Sequence, residues 1–343
     1  MELLRQLSEV CGVPGYERPA RAVVVDALSG LVDEIRVDVL GNVIAHKKGQ
    51  GPSVLVAAHV DEIGFMVSHV EEKSGFLRLQ PLGGFDPCSI VAQRVTVHTE
   101  GGDLLGCIGT KPAHILTDED MKKRPKIKDM FVDVGLPAAK VLEQVRVGDT
   151  VTLVQPFAKY GDVVSGKALD DRAGIYIAVE ALKRVKQPAC DLTIAATTQE
   201  EVGLRGARAA GFAVNPQIGI ALDVTLAVDV PGVADHERIT KLGGGVAIKL
   251  RDSASISHPA LVRAMRTLAE ERGIKHQMEI LPRGGTDAGA IQAAQAGAAV
   301  VTLSLPVRYV HSVVETAHVD DLEAAILLLA AFLETADQVN LAE

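Results

Sequence analysis

Val54-Leu55-Val56-Ala57-Ala58-His59-Val60-Asp61 is an apolar run that closes on polar residues. A strand that stays apolar at every position, instead of alternating, is buried on both faces, as in a sheet covered by helices on each side. Its polar residues fall at the end of the run, where open α/β sheets place their sites. His59 and Asp61, two apart on an extended chain, face the same side. An Asp beside a His can hold one ring nitrogen and present the other to a metal. A capping Asp beside a hydrogen-bonded His explains the fragment equally well.

Working outward, the N-terminal side reads as helix over Leu3–Val10, stopped by Gly12-Val13-Pro14-Gly15, then helix over Pro19–Leu28 and strand over Val37–Ala45. Beyond Leu169 the alternation of helix and strand returns. Helix is expected over Asp171–Val185, His258–Glu271 with Ser257 as N-cap, Thr286–Ala296 and Val319–Val339. Strands are expected over Asp191–Thr198, Ile218–Val224 and Ala299–Leu305. Between Phe65 and Tyr160 the texture differs. Short β-type runs (Phe76–Leu79, Arg94–His98, Met130–Val134, Asp149–Leu153) are punctuated by Gly and Pro, with one helix over Pro137–Gln144. The pattern predicts an α/β domain from residues 1–65 and 160–343, interrupted at 66–159 by a small all-β, barrel-like insert.

Composition narrows the function. The chain has 343 residues, 48% hydrophobic and 23% charged, without Trp, which describes a globular protein with an aliphatic core. No apolar run reaches the ~18 residues of a membrane span, and the first residues lack the order of a signal peptide, so a cytoplasmic protein without a membrane partner is expected. The net charge of −9 disfavours nucleic acid as a partner. The basic stretch Lys122–Lys128 follows the acidic Asp118-Glu119-Asp120 and reads as a solvated loop. Four cysteines without a CxxC pair suggest free thiols rather than a disulfide framework or a thiolate zinc site.

Other polar residues also cluster at element ends. Asp170-Asp171 opens a helix, where one Asp suffices as a cap and the second is left over for another task. Glu200-Glu201 follows the strand Leu192–Thr198, and adjacent carboxylates are tolerated best beside cations. Asp223 closes another apolar strand, and His311 follows Ala299–Leu305. Each taken alone also reads as a turn or loop residue. Together with His59 and Asp61 they supply two His, four Asp and two Glu from five element ends.

In this order, Ala58-His59-Val60-Asp61-Glu62-Ile63-Gly64, Leu169-Asp170-Asp171-Arg172, Glu200-Glu201-Val202-Gly203, Leu222-Asp223, Arg283-Gly284-Gly285-Thr286-Asp287-Ala288 and His311-Ser312 resemble the tetrahedral aminopeptidases, family forty-two of the metallopeptidases. The resemblance spans nearly the whole chain. It implies a helix–sheet–helix sandwich with a β insert, and removal of N-terminal residues from peptides. It also implies two divalent ions, zinc or cobalt with manganese possible. His59 and Asp223 would hold one ion, Glu201 and His311 the other, and Asp170 would bridge them. Glu200 would be the general base, acting on a metal-bridging hydroxide, and Asp61 would orient His59. The insert would mediate dimers that assemble into a tetrahedral dodecamer open only to peptides. Three ligands per ion leave the open position that catalytic zinc requires. The nearest competing readings are a related co-catalytic zinc deacylase or carboxypeptidase and, further off, a glycoside hydrolase, whose paired carboxyls need no metal.

Overall fold

The computed structural model describes residues 1–342. A mixed sheet forms its centre, in the order Glu34–Val37, Val43–Lys47, Asp191–Thr197, Ser53–His59, Ile218–Leu226, Ala299–Arg308, Glu315–His318, Val163–Gly166, Ala158–Tyr160. Its middle four strands are mutually parallel. Val246–Arg251 adds antiparallel to Ala299–Arg308 and carries His276–Ile280 on its far side.

The strand Ser53–His59 is buried along nearly its whole length, and its alternate side chains serve two cores. Val54, Val56 and Ala58 join a large cluster with Leu4, Leu7, Ile177, Leu261 and Leu329, residues of the helices Glu2–Glu9, Leu169–Arg184, Pro259–Glu271 and Val319–Leu333. Leu55 and Ala57 face a smaller one with Ala210, Ala288 and Ile291, from Arg205–Val214 and Asp287–Gln292. Alanine at Ala57, Ala195 and Ala221 lets this second helix layer approach closely. The helix–sheet–helix sandwich is therefore present.

Six antiparallel strands, Gly64–Val70, Leu77–Leu82, Phe131–Asp133, Gly102–Gly109, Arg94–Thr99 and Thr150–Leu153, close into a barrel in that order. Phe65, Val67, Leu77, Val95, Val97, Ile108 and Val151 fill its interior. Ala158–Tyr160, just past the barrel, already pairs with Val163–Gly166 in the main sheet.

Several boundaries differ from the sequence expectation. Val37–Ala45 is not one strand. The Asp38 carboxylate accepts the amides of Leu40, Gly41 and Asn42 at 2.9, 3.0 and 3.0 Å, a local turn that folds the segment into the hairpin Glu34–Val37/Val43–Lys47. His258, not Ser257, caps its helix, with Pro259 at the first position; the Ser257 hydroxyl donates to the Lys249 carbonyl. The two C-terminal helices stop early, at Gln292 and Leu333. The helix that begins at Leu169 has non-helical backbone at Asp170 and Asp171, joined by a cis peptide bond.

Candidate metal centre

The carboxyl ends of the parallel strands open onto a cavity of about 530 Å³ lined by His59, Asp170, Glu200, Glu201, Asp223 and His311. His59 is the last residue of Ser53–His59. Asp223 lies within Ile218–Leu226. Glu200 and Glu201 sit in the turn after Asp191–Thr197, where Gln199 adopts a left-handed backbone (φ 55°). His311 comes from the loop between Ala299–Arg308 and Glu315–His318.

Asp170 is central. Its Oδ1 is 3.0 Å from His59 Nε2 and its Oδ2 is 3.3 Å from His311 Nε2. Glu201 Oε1 also stands 3.4 Å from His311 Nε2. Two sets of donor atoms therefore share one carboxylate: His59, Asp170 and Asp223, and Asp170, Glu201 and His311, with the atoms of each set within 4.8 Å of one another. Glu200 belongs to neither set, and its Oε2 is 3.9 Å from His59 Nε2.

Asp61 serves His59 differently from the expectation. The ring Nδ1 of His59 meets the backbone carbonyl of Asp61 at 3.1 Å, whereas the nearer carboxylate oxygen is 3.7 Å away. That carboxylate instead accepts the amides of Glu200 and Glu201 at 3.0 and 3.1 Å. Asp171, buried, accepts the His59 amide at 3.2 Å and the Gly174 amide at 3.1 Å.

The electrostatics call for cations. Burial pushes Glu200 well above the ordinary carboxylate range, and the charges of Asp223, Asp287 and Glu201 add to it. Asp223 is raised in the same way by burial and by Asp170, and Glu201 moves in the same direction. Burial would raise Asp170 too, but hydrogen bonds from His311 and His59 outweigh it and hold it low. Burial also opposes charge on the two imidazoles, yet the surrounding carboxylates together outweigh it, Asp170 with Glu200 and Asp61 at His59 and Asp170 with Glu201 at His311. His59 lies well above its usual value and His311 is pushed up to about 12. Imidazolium is thus drawn in to neutralise mutually repelling acids, as divalent ions would do better. Oxygen and nitrogen donors without thiolate fit zinc, cobalt or manganese.

Around this centre lie residues that the sequence reading did not single out. Glu315 accepts the amides of Asp170 and His311; burial and the charge of Asp170 push it up to about 8. Its signal in the sequence was a lone acid within Val313-Val314-Glu315-Thr316-Ala317. Lys249, fully buried, lies 3.2 Å from Glu279 and 3.8 Å from Asp252 at the cavity wall. By contrast, the loop Arg283–Thr286, already among the stretches that carried the resemblance, lines the same wall, and Asp287 beside it accepts the Thr197 hydroxyl.

Comparison with known proteins agrees with this architecture. The family model described as M42 glutamyl aminopeptidase matches residues 41–328. A lysyl aminopeptidase of Pyrococcus furiosus is 38% identical over 97% of this chain and 96% of its own. Among solved structures, a TET aminopeptidase from a marine sediment thaumarchaeon superposes with a TM-score of 0.95 at 36% identity, covering 98% of this chain and 96% of that one. The TET1 peptidase of Pyrococcus horikoshii, which can assemble into a tetrahedron or a large octahedral shell, gives 0.87 at 33% identity over 97% and 98%. A barrel-bearing α/β chain similar to these over nearly its whole length is a peptide hydrolase, and it belongs to the M42 glutamyl aminopeptidase family.

Proposed function

We propose that the protein is a di-metal aminopeptidase that hydrolyses the N-terminal peptide bond of peptides. The observation that carries this reading is the Asp170 carboxylate, whose two oxygens reach toward His59 and His311 and join two three-residue donor sets. His59 and Asp223 would hold one ion, Glu201 and His311 the other, with Asp170 between them. Zinc or cobalt, with manganese as the alternative, would supply Lewis acidity to the scissile carbonyl and lower the pKa of the attacking water. Glu200 stays outside both sets, beside His59, with a carboxyl pushed upward by burial. It takes the proton of the attacking water and passes it to the leaving amine, a task worth ~10²–10⁴-fold. Asp61 fixes Glu200 and Glu201 through their amides and His59 through its own carbonyl.

Residues 66–159 carry a dimer contact in this reading, and dimers build a tetrahedral dodecamer that admits peptides but not folded proteins. The assemblies of the similar TET1 peptidase support it. Four free thiols suit a reducing cytoplasm, and no helix among the described residues is long and apolar enough to cross a membrane.

The test is hydrolysis of an aminoacyl-anilide panel by metal-stripped protein, restored separately with zinc, cobalt and manganese. Free-amine substrates should turn over only after metal is returned. Turnover confined to N-blocked substrates would instead identify a deacylase, and activity that survives chelation would favour a glycosidase-like pair of carboxyls.

A further inference from the structure

Glu315 opens the strand Glu315–His318, is 2% exposed, and takes no part in the chemistry proposed above. Its Oε2 accepts the Asp170 amide at 3.0 Å and its Oε1 accepts the His311 amide at 2.8 Å. One carboxylate therefore grips the backbones of two residues whose side chains meet at 3.3 Å. Neither backbone is held by regular structure. Asp170 sits at the start of a helix, where amides lack intrahelical partners, with non-helical angles (φ −78°, ψ 104°). His311 has φ 61° in a loop where Tyr309 is also left-handed, a conformation that non-glycine residues adopt only when their surroundings impose it. The Asp61 carboxylate plays the matching part for the other pair, gripping the amides of Glu200 and Glu201.

We infer that Glu315 is a positioning residue that sets the separation and aim of Asp170 and His311, and through them the affinity of the ion held by Asp170, Glu201 and His311. This rests on the di-metal reading. A carboxylate is needed because both amides must meet an acceptor. Glutamine offers one acceptor oxygen and turns an NH₂ toward the other amide, donor against donor.

Titration of metal-free wild type, Glu315→Gln and Thr316→Val with cobalt(II), followed by visible absorption and calorimetry, tests the inference. Thr316→Val is the control: Thr316 follows Glu315 on the same buried strand, and its hydroxyl meets the Val314 carbonyl, the Ser165 hydroxyl of the neighbouring strand and the Tyr160 hydroxyl but none of the candidate ligands. Glu315→Gln should weaken one of two binding steps by ~10–100-fold, the usual effect of losing a group behind a ligand. The cobalt absorption of that step should change, while Thr316→Val titrates like wild type. Glu315→Asp, too short to span both amides, should weaken the same step and serves if the Gln variant does not fold. Unchanged affinity and spectrum in folded Glu315 variants overturn the inference and leave the di-metal reading standing. Equal weakening in Thr316→Val also overturns it, reducing Glu315 to general support of the strand. Wild type that takes up no pair of ions overturns the underlying reading itself.

Discussion

Glu200 and Glu201 are neighbours in sequence with different environments. Glu201 faces His311 at 3.4 Å, while Glu200 lies apart from both donor sets. Glu200→Ala should lower kcat by ~10²–10⁴-fold while leaving two metal equivalents bound by elemental analysis; full turnover in the variant would remove Glu200 as base. A second prediction at this scale concerns Cys190, buried beneath the Leu333 carbonyl. Burial, with the nearby charge of Asp191, pushes its thiol up to about 12 from 9.0. The unfolded chain releases this proton first, so the stability contributed by the neutral thiol is complete below pH 9 and is lost as pH climbs toward 12. The stability gap between wild type and Cys190→Ala should therefore shrink by up to about 1.4 kcal/mol per pH unit above pH 9. Denaturant melts at pH 8 and 10.5 would measure it, and a constant gap would contradict it.

Among elements, the turn carrying Glu200 and Glu201 depends on the hairpin at the edge of the sheet. The buried Asn42 accepts the Thr198 amide at 2.9 Å through its side-chain oxygen and donates to the Gly206 carbonyl at 3.0 Å. Gly206 lies against this contact, and a methyl group there would meet the Asn42 side chain and the Thr198 backbone. Gly206→Ala should cost about 1–3 kcal/mol, seen as a Tm lower by several degrees, and should depress kcat by moving the turn. An active variant with wild-type Tm would show that the turn is not held this way. The sequence displayed each piece of this arrangement but not their meeting. Asp38-Val39-Leu40-Gly41-Asn42 carries turn residues, yet its apolar neighbours invited one continuous strand, because pairing of Val37 with Val43 is not written in local periodicity.

For the whole molecule, the concentration of buried acids at one end of the sheet couples metal to stability. Repulsion of Asp223 against Glu200 and against Asp170 is a cost of folding that bound cations would remove. An ion present at about 100 times its dissociation constant stabilises by about 2.7 kcal/mol per site. Chelation should therefore lower Tm as well as activity, and zinc or cobalt should restore both; a Tm indifferent to metal would mean that the acids are neutralised by protons alone. The barrel was legible as a change of texture between Phe65 and Tyr160. Gly64–Val70 pairs locally with Leu77–Leu82, but closing the barrel needs its pairing with Thr150–Leu153, as in Met66 with Thr150, and short-range patterns do not encode a partner so far along the chain.

By itself the sequence determined the class of fold and offered candidates for the site. A continuous apolar strand is built for burial on both faces, whereas the acids and histidines at such strand ends read singly as caps or turn residues and stood out only as an ordered set. Tertiary structure alone decided how those candidates are held. The Asp61 carboxylate serves the amides of Glu200 and Glu201 rather than the His59 ring, and Glu315 joins Asp170 to His311. Both are hydrogen bonds to backbone groups, which every residue carries alike, so nothing in the order of side chains marks which amide a distant carboxylate will find.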